Sequence, residues 1–241
     1  MDFSQNPIIE AYYKTIEKLG EYKTYIIYGI IFIAIFVLSF WGYAYYKNYS
    51  RAVAHKDFIA ALKCYDGVVG VTKYDDSGIS FSSENEKWQQ TAKAFEEGYR
   101  AHRGSELAPF FLAFQSESLL KCGKRADALT LLRQAINLFS DKNIRDIYKI
   151  KLALMLLDGG AKDVELGLNE LKALSTQSDS AVHERVLYHL GLYYWNQKKF
   201  NDAKGYWQLL LSKYGSYDPK KASVYAEEIK EKLELLNPET L

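Results

Sequence analysis

Between Lys23 and Lys47 the chain runs for 23 residues, Thr24 to Tyr46 (TYIIYGIIFIAIFVLSFWGYAYY), without a charged side chain. About 20 apolar residues in a helix cross the hydrocarbon core of a bilayer. Aromatic residues gather at both ends of the run: Tyr22, Tyr25 and Tyr28 at its start, Trp41, Tyr43, Tyr45, Tyr46 and Tyr49 at its end. Amphipathic rings at both ends form the belt found at the two water–lipid interfaces. Apolar residues cover every side of the predicted helix, whereas the core helix of a soluble domain carries one apolar stripe. Gly42-Tyr43-Ala44 loosely fits a signal-peptide cleavage site. However, the run exceeds the apolar segment of a signal peptide, and the residues ahead of it mix acidic and basic charges. The expectation is therefore an uncleaved single-pass anchor over residues 24–46, in contact with membrane lipid.

Charge leaves the orientation of this anchor open. Lys14, Lys18 and Lys23 precede the run and Lys47, Arg51, Lys56 and Lys63 follow it. Three against four is no bias for the positive-inside rule to act on. Over the whole chain 31 Lys and Arg balance 30 Asp and Glu for a net charge of +1. No basic stripe recommends a nucleic-acid partner.

Residues 1–23 place Ile8, Ile9, Tyr12, Tyr13, Ile16 and Leu19 at helical spacing, which predicts a short amphipathic segment at the membrane surface. Residues 47–108 read as juxtamembrane helices. The first carries Ala52, Phe58, Ile59, Leu62, Tyr65 and Val69 along one side, in register to continue out of the anchor without a break. Residues 72–85 collect Asp, Ser, Gly and Asn and read as a polar loop. Ser82 or Ser83, with Glu86 shortly after, fits the cap of a helix reaching His102.

From residue 109 to 241 the pattern becomes helix pairs at a regular period. Three stretches align: Phe110 to Ser140, Ile147 to Ser175 and Val186 to Tyr214. Each is an apolar helix, a short polar turn and a second helix opened by an aspartate (Asp127, Asp163, Asp202); a last helix over 220–236 closes the array. The third stretch carries most of a tetratricopeptide-repeat signature: Leu187, Leu190, Gly191 and Tyr194 in the first helix, Ala203 and Trp207 in the second. Small residues at Gly191 and Ala203 let two helices approach, and Tyr194 and Trp207 fill the space beside them. The first stretch keeps Leu112, Leu119, Ala128, Leu132 and Ala135, with Ser116 where a glycine is preferred. The second keeps Leu171 and Leu174, has Gly167 in the small position, and carries an extra residue around Asp158-Gly159-Gly160. Ala128, Gly167 and Ala203 stand 39 and 36 residues apart, longer than the usual period of about 34. The fold class expected is all-α: one transmembrane helix, then an α-solenoid of degenerate tetratricopeptide-like hairpins.

No motif for chemistry is complete. Gly67 to Gly70 lacks the Lys-Ser/Thr of a phosphate loop. Asp75-Asp76-Ser77-Gly78 fails as a calcium loop because Lys73 takes the first ligand position. His183 and His189, six apart, splay around a helix rather than converging on a metal, and read as surface or repeat-packing residues. Asn48-Tyr49-Ser50 is a glycosylation acceptor in form only. Cys64 and Cys122 sit in no metal or redox spacing, and their pairing is left open. The reading is a non-enzyme with no cofactor, metal, nucleic acid or small-molecule substrate.

Binding remains. Stacked repeats present a concave surface lined by the first helix of each pair. Helical steps put Arg185, Tyr188, Leu192, Trp195 and Asn196 of the third repeat toward it, and Phe110, Ala113, Glu117, Leu120 and Lys121 of the first. Tyr and Trp beside Arg is the composition of a binding hot spot. The competing reading packs Tyr188 and Trp195 between helices.

The whole layout, a short leading segment, one span, a juxtamembrane helix and degenerate repeats, resembles the bacterial tetratricopeptide-repeat-like inner-membrane family that includes the ancillary subunit of the SecYEG translocon. The resemblance implies that residues 1–23 are cytoplasmic and the repeats periplasmic. It also implies partners in the SecYEG translocon and periplasmic chaperones. The function expected is a membrane-anchored scaffold that recruits proteins or holds clients beside the Sec translocon. The alternatives are an adaptor in envelope or outer-membrane assembly or cell division, or a cytoplasm-facing membrane adaptor.

Overall fold

A computed structural model describes residues 23–70, 78–216 and 223–236. Residues 1–22 of the amphipathic segment read over 1–23, residues 72–77 of the polar loop with most of the turn read over 75–78, and residues 220–222 of the closing helix lie outside the described residues. The chain divides into two compact units, Met1–Lys56 and Asp57–Leu241, with the division inside the first helix, α1 (Lys23–Asp66). Within the first unit this helix is long and apolar enough to cross a membrane. Its large apolar side chains stay exposed on all sides, Phe32 at 72% and Trp41 at 73% among them.

Among the described residues of the second unit, helices and their connections are joined by one pair of short strands. Val68–Val69 (β1) and Ser80–Phe81 (β2) pair in parallel, Val68 opposite Ser80 and Val69 opposite Phe81. The stretch read from its polar residues as a loop over 72–85 therefore contains a short strand, which Phe81 anchors by burying its ring against Gly67, and the last two residues of the stretch belong to the next helix. Helix α2 (Glu84–Ala101) follows at once. Ser83 is its N-cap and takes the Glu86 amide at 3.2 Å, while the Glu86 carboxylate reaches back to the Ser82 amide at 3.0 Å. That reciprocal pair satisfies donors that the first helical turn leaves open.

Three hairpins come next: α3 (Ala108–Lys121) with α4 (Arg125–Leu138), α5 (Lys142–Leu157) with α6 (Ala161–Ser175), and α7 (His183–Asn196) with α8 (Phe200–Tyr214). Helix α2 packs on α3 ahead of them, and α9 (Ala226–Glu234) closes on α8. Three-residue turns fold each pair back on itself. In the first, Gly123 adopts φ 76°, and the amides of Gly123 and Lys124 donate to Leu120 and Leu119. In the third, Lys198 adopts φ 57° with the same two bonds to Trp195 and Tyr194. Both are the paired closure that ends a helix with a left-handed residue.

The core is four linked clusters, each shared by consecutive elements. Phe95, Phe111 and Ala61 join α1, α2 and α3. Leu112, Leu132 and Leu156 join α3, α4 and α5. Ile150, Leu171 and Val186 join α5, α6 and α7. Leu187, Trp207 and Ile229 join α7, α8 and α9. No hairpin buries its apolar faces alone, so each needs its neighbours, the organisation of a solenoid.

The small positions in the repeats sit where helices cross. A Cβ on Gly191 would stand 2.1 Å from the Trp207 indole, and one on Gly167 2.7 Å from the Ala153 carbonyl oxygen. Ser116, in place of a glycine, is buried and donates its hydroxyl to the Ala128 carbonyl at 2.7 Å. The hydroxyl fits the crossing because it makes a bond there. The long spacing has a local cause as well. Gly167 is the seventh residue of α6, whereas Ala128 and Ala203 are fourth in α4 and α8. The second crossing lies about one turn further from its connection. This moves three residues from one interval to the other, whereas the added length over both lies mainly in the connection between α6 and α7, residues 176–182, against 139–141 between α4 and α5.

Candidate functional site

The first helices of the hairpins, α3, α5 and α7, carry the residues expected to meet a partner. On α3, Phe110 lies edge-on to Phe139 at 5.0 Å and near Tyr148 at 6.3 Å, so it holds α3 against α4 and α5. Ala113 is buried and Leu120 packs against the same cluster. Glu117 is a junction: its carboxylate accepts the Tyr65 hydroxyl of α1 at 2.9 Å and the Lys151 ammonium of α5. Burial first, then the Glu117 carboxylate, pushes the Tyr65 phenol up to about 12. Tyr148 moves in the same direction for the same two reasons. Lys121, at the end of α3, is exposed.

On α7 the closing helix decides the outcome. Tyr188 stacks on Tyr225 with centroids 4.1 Å apart and donates its hydroxyl to Glu228 at 2.8 Å. Burial and that carboxylate raise its pKa to about 12. Leu192 packs in the cluster α7 shares with α8 and α9. Trp195 meets Trp207 at 5.5 Å and Phe200 at 5.1 Å, with the Lys232 ammonium 5.4 Å from its ring. Tyr188, Leu192 and Trp195 thus face α9, while Arg185 and Asn196 stay exposed. The composition of a hot spot is present, and its aromatic members are engaged within the chain.

Of the eight candidates, Lys121, Arg185 and Asn196 remain in solvent, and Phe110, Glu117, Tyr188, Leu192 and Trp195 bridge helices. The two groups belong to the first and third hairpins, separated by α5 and α6. Sequence reasoning named no residue on α5. There the structure adds Lys151, bonded to Glu117, and Ile147, 41% exposed. A signal existed: Lys151 lies 34 residues after Glu117, one ordinary repeat length, and each is the tenth residue of its helix.

The reactive groups are restrained. Cys64 and Cys122 are free, half-buried thiols whose pKa burial raises, offset at Cys122 by the Lys124 ammonium. A raised thiol holds little of the nucleophilic thiolate at neutral pH. Among the described residues no three His, Cys, Asp or Glu side chains gather in an arrangement fit for a metal ion. His183 is buried, its Nε2 3.1 Å from the Ser175 carbonyl and its Nδ1 2.9 Å from the Tyr214 hydroxyl. A carbonyl only accepts, so Nε2 carries the proton, and in the neutral ring Nδ1 accepts from Tyr214. That histidine ties α6, α7 and α8 together. His102 is placed similarly, 2.8 Å from Asp57 and stacked on Phe111.

A family model described as a tetratricopeptide repeat-like domain matches residues 20–236. A search of curated proteins found no match.

Proposed function

The chain belongs to the family of tetratricopeptide repeat-like domains, and from that premise we propose that it is a single-pass inner-membrane scaffold. Its repeats recruit partner proteins or hold clients beside the Sec translocon on the periplasmic side. The observation that carries this reading is the apolar part of α1 before Lys47, whose large side chains are exposed among the described residues and whose length suits one crossing. Tethering a binding domain to a membrane raises its effective concentration toward partners held in the same membrane. The repeats supply the binding surface, since domains of this family generally bind other proteins.

The docking face proposed is the exposed part of the first helices: Lys121 on α3, Ile147 and Lys151 on α5, Arg185 and Asn196 on α7. Its charge is mainly positive, with Glu117 engaged by Lys151 and Tyr65. Rim charges of this kind steer encounter and select partners.

Protease treatment of intact spheroplasts tests the side of the membrane. Digestion of the repeat domain from outside, with a cytoplasmic control protected, is the expected result. Protection until lysis would overturn the periplasmic assignment and leave a cytoplasm-facing adaptor. Co-purification from detergent-solubilised membranes tests the partner. The translocon is expected to accompany the wild type and to be lost from a Lys121→Glu, Arg185→Glu variant. Recovery of envelope-assembly or division proteins in its place would move the function to that machinery.

A further inference from the structure

Helix α9 sits on side chains that have the composition of a protein-binding hot spot. Tyr188, Leu192 and Trp195 follow one another along α7 at helical steps, and Tyr225, Ile229 and Leu233 do the same along α9 and its N-cap. Tyr225 stacks on Tyr188, and Ile229 is fully buried with Leu187, Trp207 and Leu210. This is the arrangement of an amphipathic helix laid in an apolar groove. The helix that fills the groove is held lightly. It has nine residues, fewer than a helix needs to stand alone in water. Ala226 and Ile229 are its buried residues, while Val224 before it and Leu235 after it are 87% and 74% exposed. Its bond from the Tyr188 hydroxyl to Glu228 and its Lys232–Glu228 pair at 3.7 Å are both open to solvent, where such contacts contribute little. Just ahead of the helix, Ser223 is tied to the Tyr214 carbonyl and the Glu184 carboxylate, so the entry to α9 is fixed independently of the helix itself. Beneath it, α7 and α8 bury Val186, Leu190, Ala203 and Trp207 as well. An element with few buried contacts opens at lower free energy than the core it rests on.

We propose that α9 occupies, within the chain, the seat of a partner's amphipathic helix, and that the partner's helix displaces α9 from Tyr188, Leu192 and Trp195. The chemistry of the occupant is read from the helix now seated there. It carries an aromatic residue, an aliphatic residue four positions later and a second aliphatic four beyond that, as Tyr225, Ile229 and Leu233 do. A carboxylate next to the first aliphatic takes the Tyr188 hydroxyl in place of Glu228. Because α9 is tethered beside the seat, it competes at high effective concentration. A partner's apparent affinity is then reduced by the fraction of time that the seat is open, which makes α9 a built-in brake on docking. The proposal rests on the protein-binding role above but concerns a covered surface: its failure leaves the exposed row on α3, α5 and α7 standing.

The test uses full-length protein in detergent and, as probe, a fluorescein-labelled peptide with the sequence of residues 223–236 (SVYAEEIKEKLELL), followed by anisotropy. Ile229→Asp in the protein releases α9, and peptide affinity is expected to rise about tenfold over wild type, the value for a seat open about a tenth of the time. Adding Leu192→Glu should abolish that binding. A peptide carrying Ile229→Ser and Leu233→Ser should not bind. Hydrogen exchange of the unaltered protein gives a reading that needs no variant: the α9 amides are expected to exchange about tenfold faster than those of α7 and α8, or more. Equal exchange in α9 and α8 would overturn the proposal, as would equal peptide affinity of wild type and Ile229→Asp, or binding of the serine peptide. A concentration-dependent wild-type dimer that Ile229→Asp dissociates would give the seat to α9 of a second copy and overturn the partner assignment.

Discussion

Gly191 and Trp207 show how single residues set the spacing of a hairpin. The indole is fully buried and donates its N–H to the Tyr188 carbonyl at 3.3 Å, directly over the glycine. A methyl group there displaces a ring that has nowhere to go, since interiors are packed to the density of organic crystals. Gly191→Ala should therefore cost about 1–3 kcal/mol by overpacking. Gly205 is the control. It lies in α8, and nothing beyond its own helix backbone comes within 4 Å of where its Cβ would stand. Gly205→Ala should gain about 0.5–1 kcal/mol by reducing the freedom of the unfolded chain. Urea unfolding of the two variants, followed by far-UV circular dichroism, checks both signs. Gly191 was legible in the sequence as a small position of the first helix, and Trp207 as the large member of the pair it forms with Ala203 in the second. The bond that makes Ser116 acceptable at the equivalent crossing was not, because its acceptor is a backbone carbonyl of another helix.

At the scale of elements, the hairpins are joined by buried polar contacts as well as apolar ones. Burial first, and the Lys213 ammonium second, hold His183 below the ordinary histidine pKa. Burial and Arg185 do the same to His189. With folded values below the unfolded value of about 6.5, the neutral rings contribute stability that is fully present above that pH. It is lost as the pH falls from there toward the folded values, because the unfolded chain then binds more protons. The urea midpoint should accordingly decline between about pH 7 and 5. His183→Gln should flatten part of that decline, with His189→Gln removing a further part. An unaltered slope in the double variant would show that other groups govern it. Elements were the most legible level of this chain. The three pairs follow from apolar spacing, polar turns and opening aspartates. The strand at Ser80–Phe81 was not legible, because two residues carry no periodicity and the pairing with Val68–Val69 depends on a partner outside its own segment.

For the larger unit as a whole, the two ends of the repeat array are closed differently. At one end α9 lays Ile229 and Tyr225 over α7 and α8 and turns Glu227, Glu228, Lys230 and Glu231 outward, a polar cap of the kind a solenoid needs to stay in water. At the other end residues 57–66 of α1 meet α2 and α3 through a ring cluster. Phe58 lies 5.1 Å from Phe111, 5.6 Å from Phe114 and 5.8 Å from Phe95, and Tyr65 lies 5.3 Å from Trp88. Edge-to-face pairs of this sort contribute beyond their buried area. Phe58→Ala should destabilise the unit by about 2–4 kcal/mol, and Phe58→Leu by roughly half as much, read from the same unfolding curves. A loss under about 0.5 kcal/mol for Phe58→Ala would show that the ring cluster contributes little to holding this helix.

The sequence by itself determined what is periodic or continuous along the chain. The uncharged run from Thr24 to Tyr46 sets a helix whose large apolar side chains are exposed among the described residues. The recurrence of apolar residues sets three hairpins, because amphipathic helices too short to stand alone bury their stripes on neighbours. Tertiary structure decided which faces those neighbours cover. Arg185 and Trp195 both looked outward from α7, yet α9 covers the tryptophan and leaves the arginine in solvent. Glu117 looked like a free groove carboxylate and became the junction of three helices. Gln115, one more polar residue within α3, became a buried residue in the wall of a cleft. Helical period fixes the angle at which a side chain leaves its own helix; what it meets there depends on helices many residues away in the chain, and only their packing supplies that.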